Sequence, residues 1–261
     1  MGAGASRPTS PPGDRLPPIC LLAGGLGTRL GDAVREIPKP LLEVAGEPFL
    51  IHQLRLLARH GATRVVLCVG YLGELIERRI GPSQFGIDIA YSHDGPSPIG
   101  TLGAVRKAAP ALGERFLVLY GDTYLRIDYR AVVSEWLQSG LPALMTVLRN
   151  EGQWDVSNVS FDGTRVRSYD KRSPSPAMSW IDYGLGGLRA DTLGLLPDSA
   201  DDLAELYHAL AARGELFGFA ATERFFEIGT PASLAETSEF LAGLAGLGGG
   251  GGGGDQRRPT M

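Results

Sequence analysis

Cysteine and lysine are both scarce in this 261-residue chain. The two cysteines, Cys20 and Cys68, each lie in a short apolar run, ICLL and VVLCV, and form no C-x-x-C pair. Such isolated thiols predict two buried strand residues in a reducing, cytoplasmic setting. The four histidines, His52, His60, His93 and His208, lack metal-ligand spacing, so zinc is not supported. No apolar run approaches the ~18 residues of a membrane-spanning helix, which argues against a membrane partner. A basic surplus is missing as well. The formal net charge is −4, whereas a chain built to grip the nucleic-acid backbone carries excess cations. No nucleic-acid partner is therefore expected.

Of the 25 basic residues only Lys39, Lys107 and Lys171 are lysines. Where almost every surface cation is arginine, a retained lysine marks a place that wants a compact ammonium rather than a planar fork. Hydrophobic residues make up 43% and charged residues 21%, enough to bury a real core. Residues 1–16 are small, polar and rich in Pro and Gly and read as a disordered leader without the layout of a signal peptide. Residues 247–261 contain seven consecutive glycines, Gly248 to Gly254, and read as a flexible tail. One domain over residues 17–246 is expected between them, and nothing in the spacing fixes the oligomeric state, a homo-oligomer included.

Within that span strands and helices alternate. Ile19–Leu22, Arg64–Val69, Ile87–Tyr91 and Phe116–Tyr120 read as strands. Phe49–His60, Leu72–Ile80, Thr101–Leu112 and Tyr129–Gln138 read as helices. The first turns Leu50, Leu54 and Leu57 to one face and stops at Gly61; the third should end or distort at Pro110; the last should turn Val132, Trp136 and Leu137 inward. This order predicts a parallel, doubly wound sheet. After Pro142 the pattern changes to strands joined by an Asp162-Gly163 hairpin, and helices near Leu203–Ala212 and Pro231–Ala242 close the domain. Thr230 is a good N-cap, with Pro231 at the first helical position. The expected class is α/β, a Rossmann-like doubly wound mixed sheet.

The most informative stretch is LAGGLGTRLGDAVREIPKPL, from Leu22 to Leu41. Glycines without Cβ let backbone N–H groups approach an anion closely, and a strand tip is the place for a polyphosphate. A P-loop is excluded because no lysine follows the glycines, and a dinucleotide fingerprint fails at Leu30. Arg29 follows the loop, and Lys39 stands between Pro38 and Pro40, which stiffen the backbone that presents it. Phe116–Tyr120 ends in Gly121-Asp122, an aspartate at the C-terminal tip of an apolar strand, where a metal ligand would face the crevice.

G-G-x-G-T-R-L followed by P-K-P-L resembles the signature of the sugar-1-phosphate nucleotidyltransferases, over roughly Ile19 to Ala242. The chain is most similar to short bacterial heptose 1-phosphate and mannose-1-phosphate guanylyltransferases. The resemblance implies a single-domain GT-A-like fold and a nucleotide site made of Ala23, Gly24, Gly25, Gly27, Thr28, Arg29 and Gly121. Gly100 and Thr101, in a G-T-x-G stretch, would lie near base and ribose. It implies Mg²⁺ on Asp122, with Glu227 as second ligand where the family has aspartate. Lys171 would meet the sugar phosphate, and Asp170, Asp182 and Gly184 would lie beside the sugar, with aspartates where the family has Glu and Asn.

The implied reaction is attack by a sugar 1-phosphate oxygen on the α-phosphorus of a nucleoside triphosphate, with pyrophosphate leaving. The partners would then be a triphosphate, GTP as the best choice, and a sugar 1-phosphate, a heptose as the best choice. An anionic nucleophile needs no strong base, only charge neutralisation and in-line placement. Arg29, Lys39, Asp122 and Lys171 are the expected catalytic set. Two rivals remain open at this point: a non-catalytic sugar-nucleotide sensor, motivated by Glu227 and Asp182, and a glycosyltransferase, which leaves the glycine loop unexplained.

Overall fold

The computed structural model describes residues 15–248, apart from 26, 28, 29 and 31–35. Strand β1 (Ile19–Leu22) is followed by a 3-10 turn at Lys39–Leu41 and a small hairpin, β2 (Glu43–Val44) and β3 (Glu47–Pro48). Next come α1 (Phe49–Arg59), β4 (Arg64–Val69), α2 (Gly73–Ile80), β5 (Ser83–Gln84) and β6 (Ile87–His93). Then follow α3 (Gly100–Leu112), β7 (Arg115–Tyr120), β8 (Thr123–Leu125), α4 (Tyr129–Ser139) and β9 (Ala143–Arg149). The chain continues through β10 (Val159–Phe161), β11 (Val166–Tyr169), β12 (Trp180–Arg189) and α5 (Leu203–Ala212). It closes with β13 (Leu216–Ala221), β14 (Phe225–Glu227) and α6 (Pro231–Gly248).

Among the described residues one ten-stranded mixed sheet dominates. Its first half is parallel, in the spatial order β7-β1-β4-β6. The second half is joined through β12, which runs antiparallel to β7, β9 and β10. The Asp162-Gly163 turn links the antiparallel pair β10 and β11, as expected from that dipeptide.

Each parallel core strand buries both faces, so its residues alternate between two apolar layers. Ile19, Leu21, Val65, Leu67, Leu117 and Leu119 face the layer that packs Leu50, Leu54 and Leu57 of α1, with Ile76 of α2 and Trp136 of α4. Cys20, Val66, Cys68, Phe116 and Val118 face the layer of Leu102 and Val105 from α3 and Leu206 and Leu210 from α5. Both cysteines are thus buried strand thiols, with Sγ atoms 3.4 Å apart.

Several local expectations shift. In α4, Val132 and Trp136 are buried, but Leu137 is 47% exposed: Tyr129, Val132, Val133 and Trp136 complete the inward stripe and leave position 137 a quarter-turn outside it. Helix α3 passes Pro110 and ends at Leu112, closed by the Gly113 N–H donating to Ala109 O. Leu16, assigned by composition to the leader, is buried and its N–H donates to Gly61 O. Helix α6 starts where expected, with Thr230 Oγ1 accepting the Ser233 N–H at 3.1 Å, but runs to Gly248 rather than ending at Ala242. A third, smaller apolar cluster of Val44, Phe49, Tyr124, Phe226, Ile228 and Leu241 packs α6 against the β2–β3 hairpin and the β8–β14 ribbon.

Candidate active site

Strands β1, β4 and β7 end side by side, and a cleft of about 390 Å³ opens at those C-terminal ends. That is where ligands bind on open α/β sheets. Nine of the site residues expected from the sequence line it: Ala23, Gly24, Gly25, Gly27, Lys39, Gly100, Thr101, Gly121 and Asp122. Thr28 and Arg29 lie outside the described residues.

The loop after β7 is built with little freedom. The Gly121 N–H donates to Leu22 O at 2.8 Å, and a Cβ at Gly121 would lie 2.7 Å from the same oxygen, so only glycine allows this approach. Asp122 follows immediately. Its carbonyl accepts the Ile228 N–H at 3.0 Å, and β8 pairs antiparallel with β14, with Thr123 opposite Glu227. The two carboxylates proposed as metal ligands therefore stand on neighbouring strand ends. The Glu227 carboxylate curls over Gly229, where a Cβ would sit 2.9 Å from Oε2, and Gly229 lines the cleft. Among the described residues no three His, Cys, Asp or Glu side chains group closely enough to hold a metal by themselves.

Lys39 begins the 3-10 turn and is only 8% exposed. Its Nζ donates to Asp122 Oδ2 at 2.6 Å. A buried ammonium without an anion would be costly, and in this structure Asp122 is that anion. A residue missed in the sequence holds the Asp122 loop from below. Gln53 of α1, fully buried, donates through Nε2 to Tyr120 O at 3.0 Å and to Thr123 O at 2.7 Å, on either side of Asp122. The signal was present: Gln53 is a lone polar residue on the Leu50–Leu54–Leu57 face.

Lys171 lies on the other side of Tyr120. Its Nζ is 5.7 Å from the ring centres of both Tyr120 and Tyr169, and 3.7 Å from Asp182 Oδ2. Tyr120 itself lines the cleft, so one ring separates the glycine side from the Lys171 side. Burial, with Asp182 next in effect, pushes the Tyr120 hydroxyl well above its ordinary range, so it stays protonated. Asp182 accepts the Tyr169 hydroxyl at 3.2 Å and the Gly184 N–H at 3.0 Å. The pairing of β12 with β9 shifts register between Asp182 and Gly186, and Gly184 turns this bulge with φ +105°. Asp170 is half-buried, and its Oδ1 accepts the N–H groups of Ser173 and Arg172, both at 2.8 Å. These two bonds, Ser173 first, hold its carboxyl below the usual range. Asp170 thus shapes the turn that carries Lys171.

At the far wall, Gly100 has φ +73°, and a Cβ there would lie 2.3 Å from Asp201 O. Thr101 Oγ1 accepts the Leu203 N–H at 2.8 Å and faces Asp202 at 3.4 Å. Its hydroxyl ties α3 to α5, so Thr101 offers the cleft mainly its backbone.

Comparison with known proteins places this geometry in context. The nucleotidyl transferase family matches residues 19–153. Mannose-1-phosphate guanyltransferase beta-B of Xenopus laevis is 27% identical over 234 residues, 86% of this chain and 62% of the relative. The chain therefore spans less than two thirds of that protein. D-glycero-alpha-D-manno-heptose 1-phosphate guanylyltransferase of Aneurinibacillus thermoaerophilus is 39% identical over 111 residues, 42% of this chain and 48% of its own. Among solved structures, HddC from Yersinia pseudotuberculosis superimposes with a TM-score of 0.71 at 24% identity, covering 87% of this chain and 100% of HddC. A second structure of HddC holds GMP-PN, with a TM-score of 0.69 and the same coverage. These likenesses establish the expected α/β, GT-A-like nucleotidyltransferase fold.

Proposed function

The chain belongs to the nucleotidyl transferase family, and from that premise we propose that it transfers a nucleotidyl group from a nucleoside triphosphate to a sugar 1-phosphate. The observation that carries this is the meeting of Lys39 and Asp122, 2.6 Å apart, in a glycine-lined cleft at the ends of parallel strands. A buried ammonium beside backbone N–H groups suits a triphosphate, and the Lys171 ammonium beside Tyr120 suits a second anion.

The reaction joins a sugar-phosphate oxygen to the α-phosphorus and releases pyrophosphate. The backbone of Gly24, Gly25 and Gly27 cradles the triphosphate. Lys39 holds charge at the α-phosphate, Arg29 holds the departing pyrophosphate, and Lys171 holds the attacking phosphate. Asp182, Tyr169 and Tyr120 keep the Lys171 ammonium aimed. Asp170 sets its turn, and Gly184 sets the bulge that orients Asp182. The chain's contribution is placement and neutralisation, which electrostatic preorganisation makes effective away from water.

The donor chemistry fits Mg²⁺, which is commonly held by one or two carboxylates plus substrate phosphates. Asp122 and Glu227 would hold it, and when bound it would supply neutralisation between the two phosphates. Lys39, paired with Asp122 in the free protein, would then be available to the phosphates.

The relatives' names favour guanosine triphosphate as donor and include both mannose 1-phosphate and a manno-heptose 1-phosphate as acceptors, of which we put the heptose first because that relative is 39% identical where it matches, against 27%. A matrix of four triphosphates against a panel of sugar 1-phosphates, with and without Mg²⁺ and scored by pyrophosphate and by the sugar nucleotide formed, tests this. GTP with a manno-configured sugar phosphate should react, and chelation should stop it. Binding of both substrates without pyrophosphate in any combination would favour a sensor and defeat the proposal.

A further inference from the structure

The Lys171 ammonium is aimed by little of its own. Asp182 Oδ2 stands 3.7 Å away, beyond hydrogen-bond reach, and the ring centres of Tyr120 and Tyr169 lie 5.7 Å off. Where the ammonium sits is therefore set by the turn that carries it, at the end of β11. That strand is an outermost one of the sheet. The Asp170 N–H donates inward, to Asn158 O at 3.0 Å. In a trans peptide the preceding carbonyl points the opposite way, so Tyr169 O faces outward and needs a donor from elsewhere. Helix α5 supplies it: His208 Nδ1 lies 2.7 Å from Tyr169 O. A carbonyl only accepts, so the ring donates from Nδ1, neutral or charged. Tyr169, itself buried, is thus held at both ends, its carbonyl by His208 and its hydroxyl by Asp182 at 3.2 Å. The platform is firm. Leu203, Leu206 and Leu210 bury α5 against the sheet, and the Leu203 N–H is bound by Thr101 Oγ1 at 2.8 Å. A second contact from α5 to the turn, Arg172 with Glu205 at 2.7 Å, involves an arginine side chain that is 74% exposed, and such surface pairs contribute little.

We propose that His208 is a positioning residue: by holding the Tyr169 carbonyl it fixes the turn that sets Lys171 against the phosphate of the acceptor. The inference rests on the transfer reaction proposed above and adds to it a residue of α5 that acts through the backbone. A flexible lysine that reaches a substrate phosphate is effective only when its base is fixed, since a displacement of about 1 Å can cost about a hundredfold in rate. Asp170 shapes the turn from within, and His208 anchors it to a helix packed on the sheet.

Two polar variants test whether the place of the donor matters. In asparagine the amide nitrogen stands where the ring Nδ1 stands, so His208→Asn keeps the bond. In glutamine it stands further out, in the place of Nε2, so His208→Gln loses it. Both keep an exposed helix position polar, and a melting curve reports the fold. Pyrophosphate release with GTP, Mg²⁺ and mannose 1-phosphate is the measurement. For mannose 1-phosphate, kcat/KM should fall about tenfold or more in His208→Gln and stay near the wild-type value in His208→Asn. The affinity for GTP alone, from calorimetric titration, should be the same in all three proteins. In a Lys171→Ala background, with no ammonium left to aim, His208→Gln should cause no further loss. Equal kcat/KM in the two variants, or a loss that persists undiminished in the Lys171→Ala background, would overturn the assignment and leave the transfer reaction standing. Binding of both substrates without pyrophosphate would instead fell the transfer reaction, and weaker mannose 1-phosphate binding in His208→Gln than in His208→Asn would still uphold the role of His208.

Discussion

Three lysines occur in the chain, and the structure places all three around one cleft. Lys39 pairs with Asp122, Lys171 sits between two tyrosines, and Lys107 reaches the carbonyl of Asp94. Lys171 is well exposed and carries little of the fold, so its removal should be a kinetic event. Lys171→Ala is expected to lower turnover by about two to three decades, the ~2.7–4 kcal/mol typical of losing one preorganised charge partner, with an unchanged melting temperature. Steady-state pyrophosphate assays and a melting curve check this, and near-normal turnover would remove Lys171 from the site. Gln53 makes the complementary case. Gln53→Leu leaves the carbonyls of Tyr120 and Thr123 without their donor, which should cost about 1–3 kcal/mol of stability. Because those carbonyls flank Asp122, kcat should also fall, with the KM for triphosphate moving less. Leu54→Ala, on the same helix face, should cost about 2–5 kcal/mol and leave kcat unchanged at a temperature where both variants are folded. Equal kcat in the two variants would reduce Gln53 to a packing role.

Long, strongly patterned elements were legible in the sequence because their pattern is their cause. Strands β1, β4 and β7 are short β-branched or apolar runs buried on both faces, and α1 shows its stripe at Leu50, Leu54 and Leu57. The ten-residue β12 was not recognised as a strand, because its Gly184, Gly186 and Gly187 argue locally against one. The structure supplies the reason for two of them. A Cβ at Gly186 would lie 1.9 Å from the Tyr207 hydroxyl oxygen, and one at Gly187 would lie 2.8 Å from the Trp136 ring. Those glycines are set by close neighbours distant in sequence, which no local window contains. The three-residue strands β8 and β14 are hidden for the same reason, since each is defined only by its partner. Where α1 meets α4, the His60 ring packs tilted against Tyr129 with ring centres 5.0 Å apart, and its carbonyl accepts the Arg130 Nε–H. Burial lowers the His60 pKa below its ordinary value, the nearby Asp128 opposing and Arg130 assisting. The unfolded chain therefore binds the proton more readily, and stability present above about pH 6.5 is lost as pH falls through the lower folded value. Melting temperatures from about pH 7.5 down to about pH 5.5 should show a decline that His60→Gln makes shallower. An identical slope in both proteins would contradict the assignment.

On the scale of the whole molecule, the sheet divides the labour. Its parallel half ends at the glycine loop and Asp122, while the antiparallel half, through β11 and β12, brings Tyr169, Lys171 and Asp182 alongside. Tyr120, the last residue of β7, stands where the two meet. The outline of this site was readable because G-G-x-G-T-R, P-K-P and G-D are compact motifs with a direct chemical reason. Asp94, which lines the same cleft, was not, since it stands alone in the Gly- and Pro-rich segment HDGPSP. Its signal was positional: a carboxylate directly after a parallel strand, the same cue that exposed Asp122 after β7. Contacts between distant segments, such as Lys39 with Asp122 or Lys171 with Asp182, become visible only once the sheet order is known. The central claim is that this cleft brings two anionic substrates together at Lys39, Asp122 and Lys171. A crystal structure with a non-hydrolysable guanosine triphosphate, Mg²⁺ and a sugar 1-phosphate measures that most directly. It should show the triphosphate on Gly24–Gly27, Asp122 turned toward the α-phosphate, and the sugar phosphate against Lys171. A triphosphate bound elsewhere, with Lys39 and Asp122 still paired to each other and untouched by either ligand, would contradict it.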